Sequence, residues 1–142
     1  PPTGQIVIDY GCGSGILAVA AARLGACRVY ALDHDPQALT ATQENAYKNN
    51  VSTIISTGSS VDFIRDHGEV MIANILLEPL IELMETFYRL LKPHSHLVVS
   101  GILSDQIATL VRNYAPRFKI QSEQTMENWA LLHFKRVSDL RE

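Results

Sequence analysis

Seven consecutive residues, Asp9-Tyr10-Gly11-Cys12-Gly13-Ser14-Gly15, constrain this chain more than any other feature. They end a β-type run, Gln5–Tyr10 (QIVIDY), and precede an alanine-rich run, Ile16–Leu24 (ILAVAAARL). Glycines at alternate positions let the backbone turn tightly and approach a ligand with no Cβ in the way. The amides that open the following helix can receive an anion. A strand, a glycine turn and a helix in that order begin an α/β domain, so the rest of the chain is read for further strand–helix units.

Those units follow. Gly25 closes the alanine-rich helix as a C′ residue. Arg28–Asp33 (RVYALD) is a second strand, and Pro36–Asn49 a helix with Asp35 as N-cap and Pro36 at its first position. Ile54–Thr57 reads as a weak third strand, Ser60–Asp66 as a short helix and Glu69–Asn74 (EVMIAN) as a fourth strand. Leu76 to Leu91 carries the clearest helical period, with Leu76, Leu80, Leu83, Met84, Phe87 and Leu91 on one core-facing stripe. Lys92-Pro93 ends that helix. His96–Gly101 is a fifth strand and Asp105–Tyr114 a helix. Phe118–Gln124 and Trp129–Lys135 are two last strands, with polar Glu123–Asn128 as the turn between them. Val137–Glu142 is expected to fray. The pattern predicts an α/β domain with a mostly parallel sheet over residues 1–136. At 142 residues, such a chain buries about 68–70% of its unfolded surface, enough for one ordinary core.

Sheets of this kind bind ligands beyond the carboxyl ends of their strands. After the first strand, a dinucleotide fingerprint would read GxGxxG, with its third glycine at position 16. Position 16 is Ile and the glycines run GxGxG, which moves the reading from NAD to S-adenosylmethionine. Gly11, Gly13 and Gly15 are the loop candidates. Asp33 ends the second strand eighteen residues after Gly15, the place of an acid that accepts ribose hydroxyls. Asp9 either binds amides of the glycine loop and holds its shape, or is an ordinary strand-end Asp. Asn74, at the carboxyl end of the fourth strand, offers one acceptor and two donors. It either orients a methyl donor and its attacking amine, or ends the strand by bonding its own backbone.

Composition narrows the classes. Charged residues are 19% and the formal charge is −3, which leaves no broad basic footprint for nucleic acid. No apolar run nears the roughly 18 residues of a membrane span. Cys12 and Cys27 form no CxxC pair and read as reduced thiols in a cytoplasmic protein. The five histidines are scattered, with none at metal-ligand or triad spacing, so no metal is assigned. Cys12 needs only to be small, and Trp129 reads as a strand-core aromatic. The chain opens Pro1-Pro2-Thr3-Gly4 without Met, and reads as a piece of something longer.

Four segments in order carry a family resemblance: Asp9–Leu17 (DYGCGSGIL), Leu32–Pro36 (LDHDP), Ala73–Leu80 (ANILLEPL) and Ser100–Leu103 (SGIL). Together they resemble the catalytic domain of the ribosomal protein methyltransferase family PrmA, over roughly Val7 to Lys135. The first motif is shared by many class I methyltransferases. The ANIL and SGIL segments are more specific. The resemblance implies a doubly wound, Rossmann-like, seven-stranded sheet with an antiparallel last strand. It implies an S-adenosylmethionine-dependent enzyme, releasing S-adenosylhomocysteine, that methylates lysine ε-amines and the N-terminal α-amine of protein eleven of the large ribosomal subunit. It places Gly11, Gly13 and Gly15 in the cofactor loop, Asp33 on the ribose and Asn74 between cofactor and substrate.

Two departures stand out. The family's N-terminal substrate-recognition domain and linker, with a cofactor-contacting Thr upstream of the sheet, are absent from this chain. The family tends to carry an acid directly before the Trp of its last strand, where this chain has Asn128, with Glu127 one place earlier. Three alternatives stay open: a class I methyltransferase with another protein, small-molecule or nucleic-acid substrate, a nicotinamide oxidoreductase, and an isolated cofactor-binding fragment. Enzymes that methylate flat conjugated amines resemble an N-P-P-aromatic pattern after the fourth strand. Here Asn74 is followed by Ile75-Leu76-Leu77.

Overall fold

The computed structural model describes residues 2–138. In chain order its elements are β1 (Ile6–Tyr10), α1 (Ile16–Arg23), β2 (Arg28–Leu32), α2 (Pro36–Lys48), β3 (Ile55–Gly58), β4 (Gly68–Asn74), α3 (Leu77–Glu82), α4 (Met84–Leu90), β5 (Leu91–Leu103), α5 (Ile107–Tyr114), β6 (Phe118–Met126) and β7 (Trp129–Arg136). The strand order is β3-β2-β1-β4-β5-β7-β6. The expected α/β architecture with seven strands, mostly parallel, and an antiparallel last strand is observed. The chain divides into two compact units, Pro1–Ile72 and Ala73–Glu142.

In the N-terminal unit, β1 pairs parallel with β2 from Ile6↔Arg28 to Tyr10↔Leu32, and β2 with β3 from Val29↔Ile55 to Leu32↔Gly58. The carboxyl ends of β1 and β2 therefore lie side by side, which sets the segments after Tyr10 and Leu32 next to each other. The core joins Val7, Val29 and Ala31 of the strands to Ala18, Ala21, Ala22 and Ala46 of the helices. Alanines on the inner face of α1 let the helix lie close to the sheet. That helix ends as its sequence predicts. The Ala26 amide reaches the Ala21 carbonyl (3.1 Å) and the Gly25 amide that of Ala22 (3.1 Å), a Schellman closure with Gly25 at φ 107°. Asp35 caps α2, its carboxylate accepting the Gln37 amide at 2.9 Å ahead of Pro36. The short helix expected near Ser60–Asp66 is only a 3-10 turn over Val61–Phe63.

In the C-terminal unit, β7 runs antiparallel to both neighbours, from Leu103↔Trp129 to His96↔Lys135 with β5 and from Met126↔Trp129 to Phe118↔Arg136 with β6. Pairing of Glu123–Met126 with β7 confines the expected polar turn to Glu127-Asn128, with Glu127 at φ 56°. Leu80, Phe87, Leu97, Val99, Ile102, Leu110, Tyr114, Leu132 and Phe134 are fully buried. Tyr114 stacks at 5.4 Å on both Phe118 and Phe134, and its hydroxyl donates to the Leu80 carbonyl.

The single helix expected over Leu76–Leu91 breaks in two. At Leu83 the backbone takes φ −90° and ψ 0°, outside the helical well. The break leaves Leu80 and Phe87 both buried, while Leu76 is 68% exposed and leaves the expected core stripe. Leu91 belongs to β5, which starts five residues earlier than His96. At the far end, the Val137 amide donates to the Arg117 carbonyl (3.0 Å) and the Tyr88 hydroxyl to the Ser138 carbonyl (3.4 Å). Residues 139–142 of the expected tail lie outside the described residues. Among the described residues no helix is long and apolar enough to cross a membrane.

Candidate active site

The glycine loop leaves β1 under tight main-chain control. The Gly11 and Cys12 amides both donate to the Leu32 carbonyl (2.8 and 2.9 Å), and the Gly15 amide closes back on Cys12 (2.9 Å). Two of its glycines do different work. At Gly15, with φ 85°, a Cβ would fall 2.8 Å from Thr42 Cγ2 and 2.9 Å from Thr42 Cα. That position is glycine because α2 packs against it. At Gly13, with φ 55°, a Cβ would meet no atom of the described residues within 4 Å. That position faces open space.

A carboxylate holds the open glycine. Asp33 Oδ2 accepts the Gly13 amide at 3.0 Å and Asp33 Oδ1 the Asp35 amide at 3.0 Å. An ionised carboxylate has about four lone-pair sites, so each Asp33 oxygen retains acceptor capacity. The glycine-loop amide held by a carboxylate is thus held by Asp33. Asp9 is 2% exposed and its Oδ2 has no hydrogen-bond partner among the described residues. Burial, and secondarily the charge of Asp33, push its pKa up from 3.8 to about 6, against the opposing pull of the Ala18 amide. Burial also raises the Cys12 thiol, which fits an unreactive side chain.

Two further residues hold this loop, and both sit on α2. The Thr42 hydroxyl, fully buried, donates to the Gly13 carbonyl at 3.0 Å and lies 3.4 Å from the Cys12 sulfur. Asn45 Nδ2 donates to the Ser14 carbonyl at 2.8 Å. The only sequence signal is a polar pair three residues apart on α2, one turn along the same face.

In the C-terminal unit, Asn74 is exposed at the end of β4. A Cβ on Gly101, at φ 91°, would lie 2.7 Å from Asn74 Oδ1 and 3.0 Å from the Ile75 carbonyl, so a glycine there is what lets the Asn74 side chain lie against β5. Asn74 and Gly101 open onto a pocket of about 680 Å³, walled by Met126, Trp129 and Leu131. Trp129 is 54% exposed, so it is a pocket wall and not the expected core aromatic. Asn74 keeps its expected place at a strand end; Leu76 joins the pocket lining.

The histidines are less scattered than their spacing implies. His96 Nδ1 and His133 Nε2 lie 2.9 Å apart across β5 and β7, and burial followed by His96 lowers the pKa of His133. His34 is a surface residue with its side chain 99% exposed, 3.9 Å from Asp33. Among the described residues no group of three or more His, Cys, Asp or Glu is placed to hold a metal ion.

A glycine loop after β1, an acid after β2 and an antiparallel β7 between β5 and β6 together define the class I methyltransferase fold. An RNA methyltransferase from Salinibacter ruber, solved with S-adenosyl-L-homocysteine, has the same fold: TM-score 0.77 at 17% identity, over 96% of this chain and 83% of that one. The family model described as ribosomal protein L11 methyltransferase (PrmA) matches residues 2–137, and the chain belongs to that family. The ribosomal protein L11 methyltransferase of Nitrosococcus oceani is 48% identical over 126 residues, 89% of this chain and 43% of that protein. That of Hydrogenovibrio crunogenus is 43% identical over 94% of this chain and 45% of that protein. A ribosomal protein L11 methylase structure from Lactobacillus delbrueckii subsp. bulgaricus superposes with a TM-score of 0.89 at 30% identity, over 96% of this chain and 72% of that one. The chain spans less than half the length of the curated relatives it matches.

Proposed function

We propose that residues 1–136 form the cofactor-binding domain of a cytoplasmic, S-adenosylmethionine-dependent protein methyltransferase. Its acceptors are lysine ε-amines and the N-terminal α-amine of a large-subunit ribosomal protein, L11, the substrate named for its relatives. The observation that carries the cofactor reading is the open space at Gly13 beside the Asp33 carboxylate. Asp33 retains lone pairs for two ribose hydroxyls. Asp9, with an unpartnered buried oxygen, offers an acceptor to a cationic amine. Gly11, Gly13 and Gly15 supply backbone without side chains. These groups fit the cofactor, which when bound supplies a methyl group activated by its sulfonium. The chain's own task is then alignment, an entropic contribution. An acceptor lysine has a reference pKa near about 10.4 and must shed a proton before attack. The Asn74 side-chain carbonyl is assigned as the acceptor that orients the neutral amine, and the uncharged walls of the adjoining pocket disfavour its protonated form.

The test is calorimetric titration with S-adenosylhomocysteine and, separately, with NADH. Saturable binding of the first and none of the second is expected, and Asp33→Ala should weaken binding by at least about tenfold, since two hydrogen bonds to a charged acceptor are lost. Absence of heat with S-adenosylhomocysteine at millimolar concentration removes the cofactor reading.

A further inference from the structure

We propose that Thr42 is a positioning residue for cofactor capture, acting through Gly13 on Asp33. The proposal rests on the reading that the glycine loop and Asp33 bind the cofactor. Its basis is a closed circuit of hydrogen bonds that starts and ends on α2. The Thr42 hydroxyl donates to the Gly13 carbonyl at 3.0 Å. The Gly13 amide donates to Asp33 Oδ2 at 3.0 Å. The second Asp33 oxygen accepts the amide of Asp35, whose own carboxylate caps α2 through Gln37.

Geometry gives this circuit its effect. The Gly13 amide and the Gly13 carbonyl belong to the two peptides on either side of one Cα. Holding both fixes the φ and ψ between them, at a glycine with the widest freedom to move. Peptides are planar and trans, so a carbonyl held on α2 turns the Ser14 N–H away from α2. Thr42 thus sets which way the loop presents its donors, and the same peptide pair sets where Asp33 Oδ2 stands.

Three observations make Thr42 suited to this and to little else. It is fully buried on a helix whose other buried residue is Ala46. Its single hydroxyl proton is committed to Gly13, so toward Cys12 Sγ, 3.4 Å away, it is the acceptor. Its methyl stands where a Cβ on Gly15 would fall, at 2.8 Å. Val reproduces the shape and removes the hydroxyl, leaving the half-buried Gly13 carbonyl without its donor. Ser keeps the hydroxyl and loses only the methyl.

The experiment is a double-mutant cycle on S-adenosylhomocysteine affinity, comparing wild type, T42V, D33N and the double variant, with T42S as the conservative control. T42V is expected to weaken binding about tenfold, the scale of one hydrogen bond, and T42S by less than about threefold. On the D33N background T42V should cost less than about threefold, because the group it acts through has been altered. An equal loss on both backgrounds means that Thr42 only supports the fold, and overturns the proposal. So does wild-type affinity in T42V. Amide exchange reads the clamp without ligand: T42V should accelerate exchange at Gly13 and leave C-terminal-unit amides unchanged. Unaltered exchange at Gly13 overturns the proposal whether or not ligand binds, whereas faster exchange in a chain that binds no adenosyl ligand overturns only the cofactor reading. T42A removes the same hydroxyl and takes the place of T42V if that variant does not fold.

Discussion

Each of the two units has a part suited to binding, and the two parts are made of different materials. In the N-terminal unit the part is main chain. The Gly11, Cys12, Gly13 and Gly15 amides and the Gly13 and Ser14 carbonyls each have a partner inside the unit. In the C-terminal unit the part is side chain. Leu76, Met126, Trp129 and Leu131 are all exposed around Asn74. A site made of backbone is fixed by what cannot be added to it, since a single Cβ collides. A site made of exposed side chains is shaped by residues that the fold itself hardly needs. Substitutions should therefore disturb stability strongly in the first region and weakly in the second.

The largest effect is expected for Gly15→Ala. The left-handed backbone adds about 1–2 kcal/mol, and forcing a methyl against the Thr42 backbone adds about 1–3 kcal/mol. Urea unfolding should show a loss of about 2–5 kcal/mol, whereas Gly13→Ala, with open space above it, should show only the backbone strain of about 1–2 kcal/mol. Equal losses for the two would erase the distinction between a packed and an open glycine.

Asp9 comes next. Its folded pKa lies above its unfolded value, so between about pH 4 and pH 6 the folded chain holds a proton that the unfolded chain has released. Its contribution to stability therefore falls as pH rises through that window and levels off above it. A rise from 3.8 to about 6 corresponds to at most about 3 kcal/mol. Asp9→Asn should remove that fall, seen as the difference between the two proteins' stability–pH curves. Parallel curves would mean that Asp9 is solvated. The smallest effect is expected for Trp129→Ala, a change of about 1 kcal/mol or less in urea unfolding, as for other largely exposed positions. A loss of about 3 kcal/mol or more, the scale of emptying a buried aromatic site, would return Trp129 to the core and weaken the contrast between the units.

The same contrast explains what could be read from the residues alone. Asp35-Pro36 as a helix start and Gly25 as a helix end are local devices, and both appear where the sequence places them. The glycine spacing and Asp33 are equally local. Thr42 and Asn45 escaped because their partners, Gly13 and Ser14, are about thirty residues away in sequence and nothing in α2 announces a packed loop. The break at Leu83 escaped because periodicity over Leu76–Leu91 cannot register one backbone angle. Trp129 escaped because alternation along β7 tells the two faces of a strand apart without saying which one a helix covers.

One feature of β5 reaches further than its local shape. Val99 stands opposite Leu132 and Ile102 opposite Ala130, so Ser100 and Gly101 share Leu131 across the ladder. Val99 and Ile102 are both fully buried although three residues apart, a step that an unbroken strand would send to opposite faces. The extra residue works like a frameshift that restores the phase. Straightening the strand without removing that residue would therefore send Ile102 into solvent and turn Leu103 inward, without altering a single side chain. Spacing and bulge are therefore one device: one residue fewer would need no bulge, and the spacing as it stands cannot keep both side chains inward without the turn at Gly101, φ 91°.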